Sequence, residues 1–80
     1  MNRDYIEAAM RRATYEVIDD PEPHYGHIEE LPGLWATGTT EAECRERLAE
    51  VVAGWIVVRL RLGMAIPPVD GVEIRLSGEA

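Results

Sequence analysis

Lysine is absent from this 80-residue chain: its eight basic side chains are all arginine, against 15 carboxylates, for a formal net charge of −7. Nucleic-acid backbone and membrane surfaces are anionic and are usually met by clustered Lys or Arg, so neither is an expected partner. A basic protein is the better electrostatic match. There is also no lysine to neutralise a phosphate, and Gly33 and Gly38 stand isolated, so no Gly-rich phosphate cradle is present. Cysteine is nearly absent too. Cys44 alone excludes an internal disulfide, and on the apolar side of a helix it reads as a small buried hydrophobe. A nucleophilic thiol would need an adjacent base or cation and some exposure, and Arg45 and Arg47 point elsewhere on that helix. No Gly-x-Ser-x-Gly elbow accompanies the hydroxyls of Thr14, Thr37, Thr39, Thr40 and Ser77. No run approaches the ~20 apolar residues of a membrane-spanning helix, and Met1-Asn2-Arg3-Asp4 opens a polar segment without an apolar signal region. A cytoplasmic protein with no membrane partner is therefore expected.

What the chain does have is enough for one domain, residues 1–80, with a core near the size where stability is marginal without help. Self-association is expected on that ground, as a dimer or tetramer. Residues 1–12 hold an N-terminal helix, Arg3 to Arg12, whose apolar side is Tyr5, Ile6, Ala9 and Met10. Arg11 and Arg12 stand at the negative end of its dipole. Tyr15 to Ile18 reads as a strand because β-branched and aromatic residues dominate it, and Asp19-Asp20-Pro21-Glu22-Pro23 ends it. His24 to Glu29 is a second strand. In Leu31-Pro32-Gly33, proline fixes its own φ and glycine allows a positive one, so the segment is a turn into a third strand, Leu34 to Thr39.

Thr40 with Glu43 three residues later fits a capping box and starts a long helix running to about Leu62. Glu41 with Arg45 and Glu43 with Arg47 are acid-first i,i+4 pairs that support it, Gly63 stops it, and Pro67-Pro68 prevents a restart. Val72 to Leu76 alternates and reads as a last strand. The fold class predicted is α+β: an N-terminal helix, a three-stranded antiparallel meander, a long helix packed on the sheet and a final short strand at 72–76.

At 100° per residue, Cys44, Leu48, Val51, Val52, Trp55, Val58 and Leu62 share one face of the long helix, which is expected to lie on the sheet. Ala49, Ala53, Ile56, Val57, Leu60 and Met64 fall on another side. The N-terminal helix is one candidate to cover that second face, and another protein chain is the other. One short helix is small for six positions over roughly four turns, so self-association through Ile56, Val57, Leu60 and Met64 is predicted.

Candidate chemistry is sparse. His24 and His27 are three apart on a strand and so diverge, which argues against a metal site; His27 is instead a candidate contact residue. Glu16, Asp19, Asp20, Glu22, Glu29 and Glu30 cluster on strands and turns, and converging carboxylates could hold divalent cations for phosphodiester hydrolysis. A solvated acidic surface explains them as well. Trp35 faces the opposite side of the sheet from Leu34 and Ala36, as either core or a partner anchor.

The order Glu30-Leu31-Pro32-Gly33, Gly38, Thr40, Glu43 and Ile66-Pro67 resembles the pattern of the HicB antitoxins: acid-Leu-Pro-Gly, Gly-x-Thr, an acidic helix start and an Ile-Pro ending. The resemblance covers residues 14–68. It implies a HicB-like domain, similar to a partial ribonuclease H fold, that needs no cofactor or metal. It further implies a protein-binding module that neutralises a small basic HicA-type messenger-RNA-cleaving toxin by direct contact, or an orphan relative of such a module. Trp35, Glu29, Glu30 and His27 are the residues expected at that contact. Twelve residues after Pro68 are too few for the C-terminal DNA-binding segment of many HicB proteins, so no direct nucleic-acid binding is expected. Glu29 and Gly26 depart from the family pattern, which has proline before the acid and a β-branched residue in the second strand. The alternative reading is a degenerate metal-dependent nuclease of ribonuclease H-like fold using Asp19, Asp20 and Glu30.

Overall fold

Residues 3–74 are described by a computed structural model. Helix α1 (Arg3–Arg11) leads into three strands, β1 (Ala13–Val17), β2 (His24–Ile28) and β3 (Trp35–Gly38), and then into the long helix α2 (Glu41–Leu62). The strands form an antiparallel sheet in the order β1-β2-β3, the expected meander. The α+β architecture is as the sequence predicts.

Local chemistry sets the joints. Gly33 has φ 88°, and the Leu34 N–H donates to the Leu31 carbonyl at 3.2 Å, closing a turn with Pro32 and Gly33 at its centre. Proline before a positive-φ glycine is the arrangement that a type II turn requires. The Thr40 hydroxyl accepts from the Glu43 N–H at 3.1 Å and caps α2. The reciprocal bond shifts by one residue: the Glu43 carboxylate takes the N–H of Thr39 at 2.8 Å and its hydroxyl at 2.7 Å, rather than the N–H of Thr40. Gly63 ends α2 in the left-handed region at φ 70°.

Both helices pack on one side of the sheet, α2 on β3 and β2, and α1 on α2. The buried stripe of α2 is Cys44, Leu48, Val52 and Ile56, which differs from the stripe expected on the wheel. Val58 and Leu62 are exposed, and Val51 is at the margin. The reason lies in what covers the helix. The close contacts of β2 and β3 with α2 fall in its first half, where Gly26 and Gly38 abut Cys44 and Arg47 donates to the Thr37 carbonyl. The same core cluster takes in Tyr5, Ala8 and Ala9 of α1, which packs on α2, and Ile66 and Val69 of the segment that follows α2. Successive i+4 steps drift around a helix, and the core drifts with them onto these later partners.

One expectation for self-association is thereby corrected. Ile56 is 0 % exposed and belongs to the core, so it cannot present itself to another chain. Leu60 is partly buried against the same core, whereas Val57 and Met64 are exposed. The last predicted strand is also revised. Val69 and Val72 exchange both backbone hydrogen bonds around Asp70 and Gly71, at φ 51° and 79°, forming a two-residue reversal. Asp-Gly is a favoured pair for such a turn. Val72 makes that isolated bridge and residues 73–74 are not strand; Arg75 and Leu76 lie outside the described residues.

Candidate functional site on the open face of the sheet

Because side chains alternate along a strand, the helices occupy one face of the sheet and leave the other to a distinct set of residues. On the helix side, Tyr15, Gly26 and Ala36 stand in one cross-strand row. A Cβ at Gly26 would come within 2.8 Å of the Tyr15 ring and 3.2 Å of the Cys44 sulfur. The absence of a β-branched residue at 26 thus has a local cause: the tyrosine ring takes the space.

The opposite face carries two rows, Thr14-His27-Trp35 and Glu16-Tyr25-Thr37. Their aromatic members touch. The Tyr25 ring stacks on Trp35 with centroids 6.2 Å apart and lies 5.6 Å from His27. Trp35 is 56 % exposed, so the alternation that placed it away from Leu34 and Ala36 puts it on the surface and not in the core. The His27 Nδ1 is shielded from solvent and has no hydrogen-bond partner among the described residues. His24 points to the other side, in register with Gly38 and Val17. The two imidazoles diverge as expected.

The carboxylates around this face divide into paired and unpaired. Glu22 accepts from the Thr37 hydroxyl at 2.7 Å and from Arg47 Nη1 at 3.0 Å, while the same Arg47 nitrogen donates to the Thr37 carbonyl at 3.1 Å. Arg47 Nη2 also reaches Glu43 at 3.0 Å. The hydrogen bonds from Thr37 and Arg47 hold the Glu22 carboxyl below the ordinary glutamate range. Those from Thr39, with Arg47 nearby, do the same for Glu43. This network ties the β1–β2 turn and α2 to the β3 edge and occupies one carbonyl of that edge. Glu30 is committed elsewhere, pairing with Arg12 at 2.9 Å, which itself lies 3.7 Å from Asp70. Glu16 and Glu29 are exposed and form no ion pair among the described residues.

Asp19 and Asp20 belong to the β1–β2 connection and Glu30 to the β2–β3 connection, at opposite ends of β2. A five-residue strand separates its ends by roughly 16 Å, so these three acids do not assemble into a cation site. No group of three or more potential ligands converges among the described residues. An open groove of about 470 Å³ runs beside the aromatic patch, lined by Trp35, Ala36, Thr37, Arg47, Glu50 and Val51.

A family model described as UPF0150-like matches residues 4–67. This chain belongs to the UPF0150-like family. The UPF0150-like fold is shared by TTHA0281 of Thermus thermophilus, whose crystal structure aligns with a TM-score of 0.86 at 44 % sequence identity, covering 90 % of this chain and 95 % of that one. No curated protein matches the chain. No helix among the described residues of this UPF0150-like protein is long and apolar enough to cross a membrane.

Of the contact residues nominated from sequence, the structure joins His27 and Trp35 through the Tyr25 ring, sets Glu29 just beyond them at the turn and diverts Glu30 to Arg12. Tyr25 is the member that sequence reasoning passed over. Its signal was available, since it stands two residues before His27 and a period of two puts both on one face.

Proposed function

We propose that this UPF0150-like chain is a protein-binding module of the HicB antitoxin type, acting by direct contact with a small basic HicA-type ribonuclease through the open face of its sheet. The observation that carries the reading is the Tyr25-His27-Trp35 cluster, in which the exposed Trp35 stands against half-buried Tyr25 and His27, flanked by Glu16 and Glu29, which form no ion pair among the described residues. A half-exposed tryptophan braced by a stacked tyrosine is a rigid anchor of the kind that dominates interface energetics. The flanking acids and the net charge of −7 favour encounter with a basic partner. Family membership and the motif resemblance support the same assignment.

The test is inhibition of messenger-RNA cleavage by a purified HicA-type toxin. Stoichiometric suppression by the wild type is expected. Trp35→Ala should weaken it by about 30-fold or more, the size of a hot-spot loss. The exposed position leaves the fold intact, which circular dichroism checks. Undiminished cleavage with the wild-type chain in excess would refute the neutralising role. Full potency in Trp35→Ala would instead refute the assignment of this face.

A further inference from the structure

The second half of α2 carries a glycine that no contact among the described residues requires. Gly54 lies in the interior of a 22-residue helix, where glycine is among the least favourable residues, and a Cβ built there meets no atom of the described residues within 4 Å. Gly26 and Gly38, in contrast, each have a neighbour that a side chain would strike. Around Gly54 the surface is apolar: Val51, Val57 and Val58 are 36 %, 45 % and 54 % exposed. A notch between exposed valines on a helix is a seat for a side chain from another helix that approaches closely.

The charges say which helix. Glu50, Gly54, Val57 and Arg61 repeat at intervals of four, three and four, so they form one seam. Two such seams laid antiparallel with Gly54 facing Val57 of the other copy bring Glu50 opposite Arg61, and the two-fold axis repeats both contacts. Among the described residues neither Glu50 nor Arg61 has an ion pair, as is also true of Arg3, Arg11 and Arg59, so both charges of the seam are available to a partner. The surface is thus complementary to itself in shape and in charge, as an isologous interface must be. We infer that a second copy of this chain packs antiparallel on α2 here, with Val57 of each copy seated over Gly54 of the other and Glu50 paired with Arg61 at both ends. The inference does not depend on the toxin-binding reading.

The seam from Glu50 to Arg61 is about 16 Å long, and a helix pair of that length covers less than the roughly 800 Å² per partner of a standard interface. Association is therefore weak, with a dissociation constant on the order of micromolar to tens of micromolar. Sedimentation equilibrium from about 1 to 300 µM spans that range. A monomer–dimer equilibrium is expected for the wild type. Gly54→Gln keeps the helix but fills the notch, and should weaken the dimer by about tenfold or more, with an unchanged circular dichroism spectrum. Glu50→Arg should weaken it as well, and Glu50→Arg combined with Arg61→Glu should return it to within about threefold of the wild type. A wild-type monomer throughout the range overturns the inference, as does any assembly that Gly54→Gln leaves unaffected. Failure of the double reversal to restore what the single reversal removed overturns the antiparallel pairing.

Discussion

Changing glycine to alanine adds the same methyl group at position 38 and at position 54, and the structure predicts opposite consequences. At Gly38 the new Cβ would lie 2.6 Å from the Cys44 nitrogen, 3.0 Å from the Cys44 Cα and 3.1 Å from the Glu43 carbonyl carbon. These are backbone atoms in the first turn of α2, so relief needs the helix start to move away from β3. That movement pulls on the Thr40 cap and on the bonds from Thr39 to Glu43. Overpacking costs about 1–3 kcal/mol, and a clash with backbone belongs at the upper end of that range. Loss of unfolded-state freedom returns about 0.4–1 kcal/mol, which leaves a net loss of about 2 kcal/mol. For a domain of this size that lowers Tm by roughly 8–16 °C.

At Gly54 the methyl meets nothing among the described residues, and the helix gains the propensity difference of about 1 kcal/mol. Tm should rise by about 4–8 °C. Both variants are melted by circular dichroism at low micromolar concentration, where the proposed dimer contributes little. The comparison cancels whatever is common to removing a glycine. Shifts of the same sign at both sites would refute the reasoning, because the fit of β3 against α2 is then not what the two glycines report.

Two other predictions separate the observed α2 stripe from the one the helical wheel suggests and test the edge network. Ile56→Ala should cost about 2–5 kcal/mol in urea denaturation, and Leu62→Ala, at 67 % exposure, should stay within about 0.5 kcal/mol. Equal losses would mean that the wheel, and not the drift onto α1, describes the core. Glu22 and Glu43 titrate below the ordinary range in the folded protein, so the unfolded chain binds their protons more readily. The stability they contribute is full above the ordinary glutamate value of about 4.3 and is lost as pH falls below it through the folded values. Tm should therefore fall as the pH is taken below about 4.3, and Glu22→Gln and Glu43→Gln should each flatten that decline. Parallel curves for wild type and variants would show that the network does not govern the acid limb.

The parts of the fold that were legible in the sequence are those set by local chemistry. Pro32-Gly33, Thr40 with Glu43, and Gly63 each fix a joint within a few residues, and alternation set Trp35 opposite Leu34 and Ala36, and His27 opposite His24. The inner stripe of α2 was not legible in the same way. Val51, Val58 and Leu62 are apolar at helical spacing, and so are Val52 and Ile56. Which set is buried depends on where the sheet stops and where α1 and the Ile66–Val69 segment begin. That is a tertiary fact, and periodicity alone contains no information about it. Glu30 shows the same limit at the site: its sequence position matches a family motif, yet its carboxylate is spent on Arg12. Asp70-Gly71 carries a turn signal of its own, which the alternation from Val72 to Leu76 masks.

The aromatic cluster and the α2 seam face different ways and adjoin only at the groove that Trp35 and Glu50 both line. The Tyr25-His27-Trp35 cluster is on the face of the sheet opposite α2, while Gly54 is on the side of α2 turned away from its buried Leu48-Val52-Ile56 stripe. A pair of copies joined along α2 would therefore hold both aromatic faces outward, each free to take a partner. Coupling between sites requires that one ligand alter the contacts of the other, and no residue of the cluster belongs to the Glu50-to-Arg61 seam. The monomeric Gly54→Gln variant should then suppress a HicA-type toxin as well, per chain, as the wild type does. A potency loss in that variant, with Trp35 untouched and the fold intact, would mean that the second copy helps build the partner-binding surface; the groove through Trp35, Glu50 and Val51 is where the two surfaces come nearest and where such sharing would arise.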